Sequence, residues 1–167
     1  LGTGLYNVNE NSYVYGPCFD FTNLPANAWV AMHTFWEAEN SWDGANLQIS
    51  TDTGATWNNV GTVGAPNNWY NDNSISGGPG GSQEGWTGDV NNNGSTEWVW
   101  SKHPLDTALM GEPYVQIRVA FGSDGSVTRD GFAFDDFAIS VPPTFALGDD
   151  TVGCGNMIIN SNTNDEF

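Results

Sequence analysis

The amino-acid sequence predicts an all-β fold, an antiparallel β-sandwich, and three observations carry that expectation. Helical periodicity is nearly absent. Short runs alternate apolar with polar residues. Clusters of Gly, Asn, Asp, Ser and Pro separate those runs, with 21 Gly and 8 Pro in 167 residues. A chain of this length has room for one ordinary β domain, and 8 Trp, 9 Phe and 5 Tyr supply its core.

Residues 29–38 form the first strong strand, with Trp29, Ala31, His33 and Phe35 on one face. Leu47 and Ile49 mark a second. Val115, Ile117, Val119 and Phe121 alternate with Gln116, Arg118 and Ala120, which predicts a strand with one buried face. Residues 131–141 give a last strand. There Phe132 and Phe134 share one parity and Phe137 and Ile139 the other, so a β-bulge is expected at Asp135-Asp136. Between 64 and 97 the chain is too long for a structureless loop inside a compact domain. Its Trp69, Tyr70, Trp86 and Trp98 suggest that it folds back onto the sandwich. Val141-Pro142-Pro143 ends the last strand and sets a domain boundary near Pro143, with residues 1–141 as the sandwich.

Charge excludes some functions. Asp and Glu number 20 against three basic residues, Lys102, Arg118 and Arg129, for a net charge of −17. Phosphate binding needs clustered bases, so nucleic acid is not a partner. Anionic membrane surfaces are disfavoured too, and no apolar stretch is long enough for direct membrane insertion. Acid excess has two readings, a solubilising surface and carboxylates clustered around cations. Cys18 and Cys154 could be bridged to each other, free, or paired elsewhere, and no spacing suggests zinc. Leu1 begins in mid-pattern without Met, so the chain reads as a fragment or a processed product.

Ser50-Thr51-Asp52-Thr53-Gly54-Ala55-Thr56-Trp57 matches the Asp-box pattern S-x-D-x-G-x-T-W. Asp52 is expected to bond turn amides, Gly54 to take a positive φ, and Trp57 to anchor the hairpin. The same box occurs in sialidases, but an arginine triad cannot be built from Arg118 and Arg129 alone.

Glu37, Glu39 and Asp43 form one acidic group and Asp135 and Asp136 another. Hard oxygen ligands converging from two strands suit calcium, which takes roughly six to eight oxygens. The alternative is that they are solvated acids at strand ends. Asp89, Asn91, Asn93 and Glu97 give a D-x-N-x-N-G-x-x-E loop, read either as a second ion site or as an Asn-rich turn. Trp69, Tyr70, Trp86, Trp98 and Trp100 could stack on sugar rings, or could staple the long loop to the core. His33 lies within a strand. His103 precedes Pro104 with no evident Ser or Cys partner, so nothing marks a nucleophile–base pair.

From Tyr13 to Val141 the chain resembles the MAM-like jelly-roll domains attached to immune inhibitor A-type metallopeptidases and repeated in secreted surface proteins of Bacteroidetes. The matching pieces are YGPCFDF, WVAMHTFWEAENSWDGANLQISTDTGATW, NWYN, GWTG, YVQIRVAFGSD and DGFAFDDFAIS. This resemblance implies a jelly roll at an extracellular or cell-surface location, with calcium held at the positions of Glu37, Glu39, Asp43, Asp135 and Asp136. FALGDDTVGCG resembles the opening of Ig-like repeats in adhesin-type proteins exported by the type IX pathway, so 142–167 is expected to be a linker and a truncated next module. Family members carry another strand before YGPCFDF, of which only Leu1–Ser12 remains. The function expected is a non-catalytic, calcium-stabilised module for adhesion, recognition or spacing. Its partners would be neighbouring domains of the same polypeptide, and a glycan or surface protein. The alternative is an accessory domain of a secreted metallopeptidase or other hydrolase.

Overall fold

The computed structural model describes residues 5–141. The boundary near Pro143, the second module and Cys154 lie outside the described residues. Among the described residues seven strands run β1 (Asn11–Phe19), β2 (Trp29–Glu37), β3 (Gly44–Ser50), β4 (Asn58–Asn59), β5 (Val99–Pro104), β6 (Val115–Gly122) and β7 (Gly131–Ser140). They form two antiparallel sheets, one ordered β1-β6-β3-β4 and the other β5-β2-β7. The fold is a β-sandwich, as the alternation predicts.

Between the sheets, Val30, Met32 and Trp36 of β2 meet Leu47 and Ile49 of β3 and Val115, Ile117 and Val119 of β6. Alternate, mostly apolar residues bury the inner faces of β2, β3 and β6. Yet β3 is buried on both faces, and so is most of β6. That differs from the one-faced β6 the sequence predicts. The segment after β4 supplies the cover: Asn46 Nδ2 donates to Pro79 O at 2.9 Å and Gln48 Nε2 to Gly80 O at 3.2 Å. A Cβ at Gly122 would lie 2.5 Å from Gly77 O, so only glycine lets this segment come so close.

The same long segment closes one side of the sandwich. Trp86 pairs with Ala45 beyond the end of β4, and Lys102 N of β5 donates to Asn67 O. Trp69, Tyr70 and Trp86 pack mutually edge-on or tilted, with ring centroids 4.7–5.4 Å apart. Each polar tip is satisfied: Trp69 Nε1 donates to Val60 O, Trp86 Nε1 to Asn68 O, and Tyr70 Oη bonds both the N–H and the C=O of Leu47.

Arg118 supplies the rest of the outer cover. Its guanidinium lies 4.1 Å from the Tyr13 ring centre and 4.0 Å from that of Trp57, and it donates twice to Gln48 Oε1. Among the described residues no carboxylate forms an ion pair with it. Stacking between rings, worth roughly 2 kcal/mol when desolvated, stands in for an ion pair. The Asp box therefore behaves as its residues predict: Asp52 accepts from Thr56 N–H and Oγ1, Gly54 has φ +86, and Trp57 clamps Arg118.

The bulge in β7 is also present. Ala31 pairs with Ala138 and His33 with Asp135, so one extra residue sits in β7, and Asp136 has φ +52.

Two outcomes are expected. Trp86→Ala removes a fully buried indole and should lower the unfolding free energy in urea by about 3–5 kcal/mol. Hydrogen bonds from Thr56 first, then Ser50, hold the Asp52 carboxyl down at about 2, below its ordinary 3.8. A depressed folded-state value gives stability that is present above the unfolded value and lost as pH falls toward the folded one. Asp52→Asn should therefore melt below wild type at neutral pH, with the two curves converging as pH drops from about 4 to about 2.

Candidate metal centre

β2 belongs to one sheet and β3 to the other, so residues 38–43 must cross between them. The crossing is a tight turn in which Trp42 N and Asp43 N both donate to Glu39 O, at 3.0 and 2.9 Å. Ser41, with φ +62, makes that reversal possible. Thr87, fully buried, fixes the turn from beneath: its Oγ1 lies 2.6 Å from Asp43 O and 3.2 Å from Glu39 O. Glu39 and Asp43 thus arrive at one point.

A third acid joins them from β6. Gly44 pairs with Gly122, so the residue before β3 lies beside the residues after β6. Asp124 N donates to Asp43 Oδ1 at 2.7 Å, and carboxylate oxygens of Glu39, Asp43 and Asp124 all lie within 4.8 Å of one another. Tyr6 completes the surround, donating its hydroxyl to Asp43 Oδ2 at 2.6 Å and accepting from Glu39 N–H at 3.1 Å.

The electrostatics are unfavourable as they stand. Asp43 is 0% exposed, and burial raises its pKa despite hydrogen bonds from Tyr6 and Asp124 that act the other way. Burial raises that of Glu39 too, followed by the charges of Asp124 and Asp43. Glu37 is raised by burial and then by Asp130. Among the described residues, the nearest base is Arg129, which sits 3.3 Å from Asp89. Glu39 Oε2 is buried and accepts no hydrogen bond. An all-oxygen donor set with one orphaned buried lone pair fits a hard divalent cation, and lacks the nitrogen or sulfur that softer metals favour.

The sequence-predicted set is only partly assembled. Glu39 and Asp43 meet. Glu37 lies alongside, facing Asp130. Asp135 and Asp136 do not join them: Gly131 pairs with Glu37, whereas Asp135 pairs with His33, four residues or about 13 Å farther along β7. Both are exposed, and Asp136 Oδ2 lies 3.0 Å from His33 Nδ1. Asp124 was the missing member. The register of β3 against β6 is the signal that finds it, since it sets the residues after β6 beside Asp43.

The Asp89 loop is a turn tied to neighbouring segments. Asp89 Oδ1 accepts from Asn91 N, its Oδ2 faces Arg129, and Asn93 Nδ2 donates to Asn40, while Glu97 is exposed. Its geometry matches the Asn-rich turn.

Among the aromatics, Trp69, Tyr70 and Trp86 are 4%, 1% and 0% exposed, so they staple the core and cannot stack on a sugar. Trp98 and Trp100 remain on the surface. His103 packs tilted against Trp69, ring centroids 5.1 Å apart, and bonds Pro104 O through Nδ1. It lines a cleft of about 580 Å³ with Asp106 and Glu112.

No family model matches the chain, and no curated protein matches it.

Proposed function

We propose that this chain is a non-catalytic, calcium-stabilised β-sandwich module of jelly-roll type. It belongs to a secreted or cell-surface protein and serves adhesion, recognition or spacing. The observation that carries this reading is the buried, unpartnered Oε2 of Glu39 beside Asp43 and Asp124. A buried acceptor left unpaired costs about 1–3 kcal/mol, and more when charged. Calcium offsets that cost and the mutual repulsion together.

Position supports a structural role. Glu39 and Asp43 lie in the crossing between the two sheets, and Asp124 follows the strand at the middle of one of them. An ion held there ties both sheets to one point. Asp43 and Tyr6 already satisfy each other, so Glu39 and Asp124 would give the freest oxygens, with waters filling the remaining positions. A partly prebuilt, partly hydrated site of this kind suits the roughly 10⁻⁴–10⁻³ M affinities of extracellular calcium modules. Ambient calcium outside cells then keeps it filled.

Scanning calorimetry tests this. Binding confined to the native state at about a hundred times Kd adds roughly 2.7 kcal/mol, so 10 mM-scale calcium should raise the melting temperature over chelated protein by about 5–10 °C. Coincident melts with and without calcium would sink the reading. Glu39→Gln keeps the side-chain shape and removes one repelling charge. It should melt no lower than chelated wild type and lose most of the calcium response. Asp135→Ala, outside the cluster, should keep that response in full.

A further inference from the structure

The outer face of the β5-β2-β7 sheet carries a stripe of rings. Trp29, His33 and Phe35 of β2 point away from the core residues Val30, Met32 and Thr34. His33 pairs across the sheet with Trp100, their rings 4.7 Å apart, and Phe35 lies 6.1 Å from Trp98. Trp98 and Trp100 are 42% and 43% exposed. On the other side of β2 the partners are small, Ala133 opposite Phe35 and Ala138 opposite Ala31. A wall of indoles therefore stands beside a low floor. The bulge at Asp136 then lifts a carboxylate, 69% exposed, to within 3.0 Å of His33 Nδ1 beside Trp100. A non-glycine residue in the left-handed region is a local strain of a kind that collects at binding sites.

We infer that this face is a glycan platform that takes a neutral polysaccharide chain, with pyranose rings stacking on Trp98 and Trp100 and hydroxyls bonding His33 and Asp136. The inference rests on the recognition reading above and is independent of calcium.

Chemistry selects that occupant. The C–H faces of a pyranose carry slight positive charge and sit well on the negative face of an indole. The large apolar side chains of this face are all aromatic. A protein partner would press Asp135, Asp136 and His33 into the interface centre, where charged groups are depleted and their desolvation is costly. A hydroxyl-rich ligand hydrogen-bonds them instead. Acidic polymers meet a net charge of −17 and are repelled.

The test is affinity electrophoresis of the full chain in gels carrying soluble β-glucan, xylan, galactomannan or, as an acidic control, heparin. At least one neutral polymer should retard the protein. Trp100→Ala and Trp98→Ala should each weaken that retardation about tenfold or more. Tyr15→Ala, at a ring 54% exposed on the other sheet, should leave it unchanged. Both platform residues are on the surface, so each variant should melt with wild type, and Asp136→Asn gives a third, milder change at the polar lip. Three results would overturn the platform: no retardation in any neutral gel, retardation that survives both Trp98→Ala and Trp100→Ala, or stronger retention by heparin. A dimer in sedimentation that Trp100→Ala dissolves would overturn it as well, by assigning the face to a second copy. Calcium-dependent melting without glycan retention rejects the platform alone, and glycan retention without calcium-dependent melting rejects the metal alone.

Discussion

The aromatic staple of Trp69, Tyr70 and Trp86 is the constraint on which the rest of the molecule depends. These rings fill the side of the sandwich that β4, only two residues long, leaves open. Tyr70 Oη accepts from the Leu47 N–H and shares the Leu47 carbonyl with Val60 N–H just past β4. Trp86 pairs with Ala45, and its neighbour Thr87 reaches the carbonyls of Glu39 and Asp43. Core packing and the acidic centre are thus one continuous structure. A Cβ at Gly44 would meet Trp86 O at 2.4 Å, so the approach of staple to strand is as close as a backbone permits.

The distribution of charge follows a related logic. Among the described residues none of the three bases forms an ion pair with Glu39, Asp43 or Asp124, although the charge of Arg129 acts against the rise of the Glu39 pKa. Arg118 lies between Tyr13 and Trp57, and Lys102 sits 4.3 Å over Trp29. Among the described residues Arg129 is the one Lys or Arg paired to a carboxylate, and it takes Asp89. Packing on rings, by contrast, is what Arg118 and Lys102 do here. Relief of repulsion among Glu39, Asp43 and Asp124 is left to an external cation, on the reading proposed above.

Much of this was legible in the sequence because it is local. Alternation gave the β2, β3, β6 and β7 strands, and the parity switch between Phe134 and Phe137 located the bulge. The Asp box dictated its own hydrogen bonds. What failed was long-range. Asp135 and Asp136 carry the right chemistry for a cation, but only the register of β7 against β2 shows that they lie about 13 Å from Glu37. Nothing local marks Asp124, and only the pairing of β6 with β3 sets it beside Asp43. Trp86 and Trp98 are alike as residues, and burial separates them only once the long segment is seen to enter the sandwich. The second cover on β3 and β6 was hidden for the same reason, since the segment 77–80 that supplies it is far from β6 in the chain.

The β7 bulge has a consequence for solubility. β7 is the outermost strand of its sheet, and an outermost strand offers unpaired N–H and C=O groups on which another chain can template itself. At Asp136 the ladder breaks step, and two exposed acids stand in adjacent positions at the break. An incoming strand would lose its register there and bring its backbone against two negative charges. The rim thereby resists accretion into fibres at the place where its phenylalanines would otherwise invite it.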